Sequence, residues 1–151
     1  LDLGLMELVQ KKYTGAQVTK DMVRKWKEEF SYVSGEDREQ MVELSVEGKK
    51  QVVDIGDLVK SACSMVIGKV GSAIKQIVAT ADPEYQPILR NNIILSGGGS
   101  LIDGIADAIA NDIADIGDVT VTCVEDPIEK VATGAMALAQ DMPDEQYTAI
   151  N

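Results

Sequence analysis

Histidine is missing from all 151 residues, and that gap removes whole chemistries. Ser-His and Cys-His nucleophile pairs need an imidazole base, and zinc sites draw on it heavily. Cysteine is scarce too. Cys63 and Cys123 are too few for a disulfide framework, which predicts a reducing compartment with both thiols buried. Cations are outnumbered, 14 Lys and Arg against 25 Asp and Glu, for a net charge of −11. Such a surface repels phosphate backbones and opposes nucleic-acid binding. A free nucleotide is still admissible, because backbone N–H groups and one or two cations can oppose the global sign locally.

No apolar run approaches the length that spans a bilayer, and no signal peptide is visible. Both readings predict a cytoplasmic chain without a transmembrane segment. Leu1 stands where an initiator Met would, which predicts a fragment or a processed product. No repeat or low-complexity segment interrupts the chain, and its length suits one ordinary domain with its own core.

The most informative segment is Asn92-Ile93-Ile94-Leu95-Ser96-Gly97-Gly98-Gly99-Ser100. It reads as a buried strand, a triple-glycine turn and the start of a helix. Three glycines leave a surface without Cβ atoms, where a ligand can approach the backbone closely. The predicted helix spans Leu101 to Ile116, with Ile102, Ile105, Ile109, Ile113 and Ile116 on one face. Ser100 and Asp103 have the spacing of a capping box at its start. A helix N-terminus below a glycine turn attracts anions and polar ligands, so a nucleotide is the natural ligand. It is neither a P-loop, which needs Lys-Ser/Thr after its last Gly, nor a dinucleotide fingerprint, whose third Gly is replaced by Ile102.

Around it the pattern alternates between periods. Leu1, Leu5, Leu8 and Val9 predict a first helix, ended by Thr14-Gly15. Thr19 caps a second, running to about Val33 with Met22, Val23, Trp26, Phe30 and Val33 inward. Met41 to Ile55 alternates as a hairpin with its turn at Gly48. A long helix follows from about Asp57 to Ala81, striped by Leu58, Ala62, Val66, Val70, Ile74 and Ile77. Gly68 and Gly71 either weaken it or admit close packing of another element. Val119 to Val124 reads as a second buried strand and Ile128 to Gln140 as a last helix, with a polar tail after Pro143. The second half is βαβα, so its strands are parallel or share a mixed sheet.

Taken in order, Arg24-Lys25-Trp26-Lys27-Glu28-Glu29-Phe30, the hairpin, the long helix, Ile93 to Gly104, Val124-Glu125-Asp126-Pro127 and Val131-Ala132-Thr133-Gly134-Ala135 resemble the C-terminal half of actin-like ATPases. The likeness is to bacterial actins of the MreB and MamK type. Glu84-Tyr85-Gln86 and Val121-Thr122-Cys123-Val124 tilt it toward the magnetosome-organising MamK branch.

The resemblance implies an α/β fold, the C-terminal domain of the actin/Hsp70/hexokinase-like ATPases, with a small hairpin-containing α+β subdomain. Residues 1–33 and 57–151 would form the large subdomain, and 34–56 part of the small outer one. It implies ATP or ADP with Mg²⁺ as cofactor, the metal held by the phosphates and by a missing N-terminal half. Gly97, Gly98 and Gly99 would line the adenosine, with Ser100 and Ile102 nearby. Arg24, Lys27 and Glu28 would face ribose and base across the cleft. Read without the family, Arg24–Glu28 and Lys25–Glu29 are solvated i,i+4 partners, and Trp26 is core.

The family's phosphate loops have no counterpart here, so this chain alone is expected not to hydrolyse nucleotide. Self-association into cytoskeletal filaments is the implied partnership. The rival readings are a cell-shape filament of MreB type, a sugar-kinase or Hsp70-like domain, and an acidic scaffold whose glycine turn is structural. Two predicted strands rarely hold a sheet in water, so the rest of the sheet is expected from chain outside this sequence.

Overall fold

The computed structural model describes residues 1–143; the tail after Pro143, where a last turn was expected, lies outside the described residues. Helix α1 (Asp2–Lys12) buries Leu5 and Val9, one turn apart, and gives way to Gly15 at a φ of 80°. Helix α2 (Lys20–Phe30) starts where Thr19 Oγ1 accepts the Met22 N–H at 3.2 Å. Such a cap contributes about 1 kcal/mol. Val23 and Trp26 point into the core as expected.

The helix stops at Phe30, three residues before its predicted end. Tyr32 instead forms an isolated parallel bridge with Asp103, and its ring is wholly buried. An extended backbone there satisfies two partners at once: Val33 N–H donates to Asp103 C=O at 2.9 Å and Asp103 N–H to Ser31 C=O at 3.2 Å.

Strands β2 (Met41–Val46) and β3 (Lys49–Asp54) form the expected antiparallel hairpin. Glu47 and Gly48 both take positive φ, 50° and 78°, the left-handed pair that matches the twist of a tight hairpin. Val42, Leu44 and Val53 face inward, while Met41 and Val52 remain exposed. A third strand, β1 (Ala16–Gln17), pairs with β2 from outside the 34–56 segment. The hairpin joins the main core cluster through these residues and Ile55.

Helix α3 (Gly56–Thr80) packs on α1, α2 and α5. By length and composition alone it could cross a membrane, which corrects the expectation that no such run exists. That average merges two unlike faces: Leu58, Val59, Ala62, Cys63 and Gly71 are buried, while Lys60, Lys69 and Lys75 interrupt the helix elsewhere. Gly71 is a close-packing glycine, since a Cβ there would run into the Asp112 carboxylate on α5; Gly68 faces open space. The predicted stripe drifts, and Ile77 is exposed.

A short helix α4 (Gln86–Arg90) leads to β4 (Ile93–Leu95), which pairs in parallel with β5 (Val121–Cys123). Between them runs α5 (Ile105–Asp112), whose Ile105 and Ile109 are buried. Helix α6 (Lys130–Asp141) closes the described chain without one buried residue.

Two burial expectations are corrected on this side. Strand β5 is only part-covered, and Cys123 is exposed although Cys63 is buried. The reason is the sheet itself, a parallel pair with no third strand among the described residues. Ile94, Ile128, Val131, Met136 and Leu138 consequently face solvent.

Candidate functional site

Strands β4 and β5 run parallel, so the loops leaving their C-terminal ends open on the same side. In open α/β sheets this is where ligands bind. The glycine turn follows β4 and the segment 124–129 follows β5, and hydrogen bonds clamp the two together. Gly97 N–H donates to Pro127 C=O at 3.0 Å, and Ser96 Oγ donates to the same oxygen at 3.3 Å. Asp126 adopts a φ of 50°, a conformation that Asp tolerates better than most residues.

The turn differs from its expected form. Gly98–Leu101 is a single 3₁₀ turn, the chain extends at Ile102, and Gly104 at a φ of 78° separates it from α5. The helix therefore starts at Ile105 and not at Leu101, and a short 3₁₀ turn (Ala114–Ile116) takes its last residues. The capping box does not form either. Ser100 Oγ donates to Gly97 C=O at 2.8 Å, while the Asp103 carboxylate meets Arg38 Nη2 at 2.5 Å. The α5 N-terminus thus does not stand directly under the glycines.

The three glycines have different physical roles. Gly97 sits at a φ of 83°, where any side chain is strained. Gly98 and Gly99 have ordinary φ values, and a Cβ at either would meet nothing within 4 Å. Neither packing nor conformation within the described chain requires them to be glycine. Each glycine also carries an entropic penalty of about 0.4–1 kcal/mol relative to Ala. What they provide is bare peptide facing open space.

Beside the turn lies a cavity of about 400 Å³, lined by Leu101, Asp126, Pro127, Ile128 and Glu129. Its walls are apolar with two carboxylates and no cation. Those carboxylates repel phosphates and accept hydrogen bonds from hydroxyl or amino groups, so the nucleoside end of a nucleotide suits this space better than its phosphate end. No group of three or more Cys, Asp or Glu able to hold a metal occurs among the described residues. The residues present fit the nucleoside of ATP or ADP and do not themselves form a Mg²⁺ site.

The sequence marks the loop at Val124–Pro127 only as part of the family resemblance and assigns no ligand role to Asp126 or Glu129. The signal that finds it is topological: once β4 and β5 are parallel neighbours, their following loops must meet.

The expected cross-cleft residues all lie on α2. Lys27 is partly buried and pairs with Asp2 of α1 at 3.0 Å. Arg24 and Glu28 are exposed, and neither Arg24–Glu28 nor Lys25–Glu29 closes into an ion pair. No hydrogen bond or ion pair in the described chain links these three side chains to the glycine turn. Ile102 is 5 % exposed and anchors the turn in the core, leaving Gly98 and Gly99 exposed and Ser100 half-buried.

Comparison with known proteins puts this geometry in context. The profile of the MreB/Mbl protein family matches residues 1–147. The actin-like protein MamK of Magnetospirillum gryphiswaldense is 29 % identical over 147 residues, covering 97 % of this chain and 41 % of the relative. MamK of Paramagnetospirillum magneticum is 29 % identical as well, with 42 % of its length covered. The chain thus spans about two fifths of the relatives it matches.

Among solved structures, a MamK double helical filament superposes with a TM-score of 0.88 at 30 % identity, covering 94 % of this chain and 44 % of that one. A non-polymerising MamK mutant bound to AMPPNP gives 0.83 at 30 % identity, covering 93 % and 43 % respectively.

Proposed function

This chain belongs to the MreB/Mbl protein family, and from that premise we propose that it is the nucleoside-holding part of a filament-forming, MamK-type actin-like ATPase. Its described residues share the fold of the MamK structures. The bent backbone at Gly97–Gly99 receives adenosine, Asp126 and Glu129 offer acceptors at the cavity wall, and Ile102 fixes the turn from below. Arg24, Lys27 and Glu28 approach the ribose and base from α2 once the cleft is complete. Phosphates, Mg²⁺ and the attacking water are handled by residues of the longer protein, because phosphoryl transfer needs a clamp this chain lacks.

The observation that carries the reading is the pair Gly98 and Gly99, which are bare without any internal need to be. A second support is the exposure of apolar residues on β4 and α6, among them Ile94, Val131, Met136 and Leu138. In the intact protein these residues are covered by further strands, and subunits join head to tail into cytoplasmic, cytoskeletal filaments. The MamK-type reading leads over a cell-shape filament because the relatives and structures above are MamK proteins.

The test is calorimetric titration of the full-length protein with ADP, unmodified and carrying Gly99→Val. The reading expects binding in the parent and at least about tenfold weaker binding in the variant, matching a loss near 1.4 kcal/mol. ADP affinity in the variant equal to the parent's would take the nucleoside away from the turn, and no binding heat or thermal shift with either protein would favour the acidic-scaffold reading.

A further inference from the structure

The strongest set of contacts outside the site surrounds Tyr32, in the linker between α2 and the hairpin. Its ring is fully buried, although the linker itself is irregular. The hydroxyl accepts the Arg38 N–H at 2.9 Å and donates to Gly56 C=O at 3.3 Å, at the start of α3. The Arg38 guanidinium lies 4.7 Å from the ring centroid and the Lys60 ammonium 5.7 Å away. Arg38 then reaches past the ring to the Asp103 carboxylate at 2.5 Å. The backbone of Tyr32 already bridges Asp103, with Ser31 and Val33 making the hydrogen bonds.

Asp103 is the residue after Ile102, the C-terminal anchor of the glycine turn. The Tyr32 linker continues directly from α2, which carries Arg24, Lys27 and Glu28. One side of this knot therefore ends two residues beyond the turn, and the other ends two residues beyond α2. A third side, through Arg38 and Gly56, ends at the base of the hairpin, where Gln40 N–H and Gly56 N–H both donate to Asp54 Oδ1 at 2.7 and 2.9 Å.

We propose that Tyr32, Arg38 and Asp103 are positioning residues that set the separation between helix α2 and the glycine turn, and so the fit of a nucleoside between them. This rests on the nucleotide-binding reading of the turn. None of the three touches the ligand. The ring supplies a rigid, buried spacer; the bridge fixes the register of the two backbones; the ion pair holds the outer end closed. Because Arg38 and Asp103 are about half exposed, the ion pair alone has a small effect, and it weakens as salt screens it.

The experiment is ADP titration of the full-length protein and three variants, with melting temperatures recorded alongside. Asp103→Arg should weaken ADP binding by about two- to fivefold at low salt, the range of an exposed pair. Arg38→Asp combined with Asp103→Arg restores the pair in reverse and should recover most of that loss. At 1 M NaCl the difference between parent and Asp103→Arg should shrink. Tyr32→Phe keeps the spacer and tests the hydroxyl by itself, with a smaller loss expected.

Parent-like ADP affinity in Asp103→Arg, whether or not its melting temperature falls, overturns the positioning role while leaving the nucleotide reading intact. A loss that neither the charge reversal nor salt diminishes overturns it too. Absence of ADP binding in the parent overturns the nucleotide reading and the positioning role together.

Discussion

The chain is unevenly buried. From Leu5 to Cys63, the first two helices, the hairpin, the head of α3 and the linker residues Tyr32 and Ile55 supply thirteen of the eighteen buried core hydrophobics among the described residues, whereas after Ile113 only Pro127 among them is buried. Both halves have the same kinds of residues, and Ile, Val, Leu and Met occur throughout. The difference is geometric. An antiparallel hairpin with a third strand can lay one face on helices and leave the other to water. A parallel pair such as β4–β5 needs cover on both faces, and among the described residues its main helical neighbour is α5, against β5. The first region buries its apolar residues on itself; the second leaves Ile94, Val131, Met136 and Leu138 exposed.

The largest test of this contrast is truncation on either side of it. Leu44→Ala, in the hairpin and fully buried, should destabilise by about 2–5 kcal/mol in urea denaturation. Leu138→Ala, on α6 and 67 % exposed, should stay within about 0.5 kcal/mol in this chain. A comparable loss from both would mean that α6 is covered in solution.

A smaller effect is expected inside the glycine turn. Gly97→Ala should cost about 1–3 kcal/mol, because its φ of 83° and ψ of 173° fall in a region essentially reserved for glycine. Gly98→Ala should leave the chain as stable or more stable by about 0.4–1 kcal/mol. Thermal melts of the two variants separate the conformational glycine from the one kept bare.

The smallest effect concerns pH. Asp54 accepts backbone N–H groups from Gly56 and Gln40, and these hold its carboxyl below the ordinary Asp range. A depressed folded-state pKa means stability that is present above the unfolded value, about 3.9. It is lost as pH falls through the folded value. Stability of the parent should therefore decline below about pH 4 more steeply than that of Asp54→Asn, measured by urea midpoints across the acid range. Parallel curves would show that this carboxylate does not anchor the hairpin.

Much of the fold was legible because its signals were local. Thr19 caps where its side chain predicts, Gly48 turns the hairpin, and the βαβα order produces parallel strands. What escaped reading depends on contacts between distant segments. Strand β1 has only two residues, too few for any period to register. Tyr32 sits in a linker without periodicity, and only its meeting with Asp103, far along the chain, explains its burial.

The break at Gly104 was hidden by the isoleucine spacing, which runs straight through it. Ile102 and Ile105 both reach the core, but from an extended segment and a helix respectively. Within the site, the glycines were conspicuous and the partner of their turn, the Pro127 carbonyl, was not, since no spacing rule connects residues gathered by neighbouring strands.

The two thiols turn the uneven burial into a readout. Cys63 is sealed in the core, where desolvation pushes its thiol above the ordinary range, while Cys123 lies in the open at the end of β5. A maleimide dye added to the native protein would therefore label one position, on the strand that leads into the 124–129 loop beside the glycine turn. Its reaction rate becomes a clock for whatever settles over that sheet, with no engineered cysteine required.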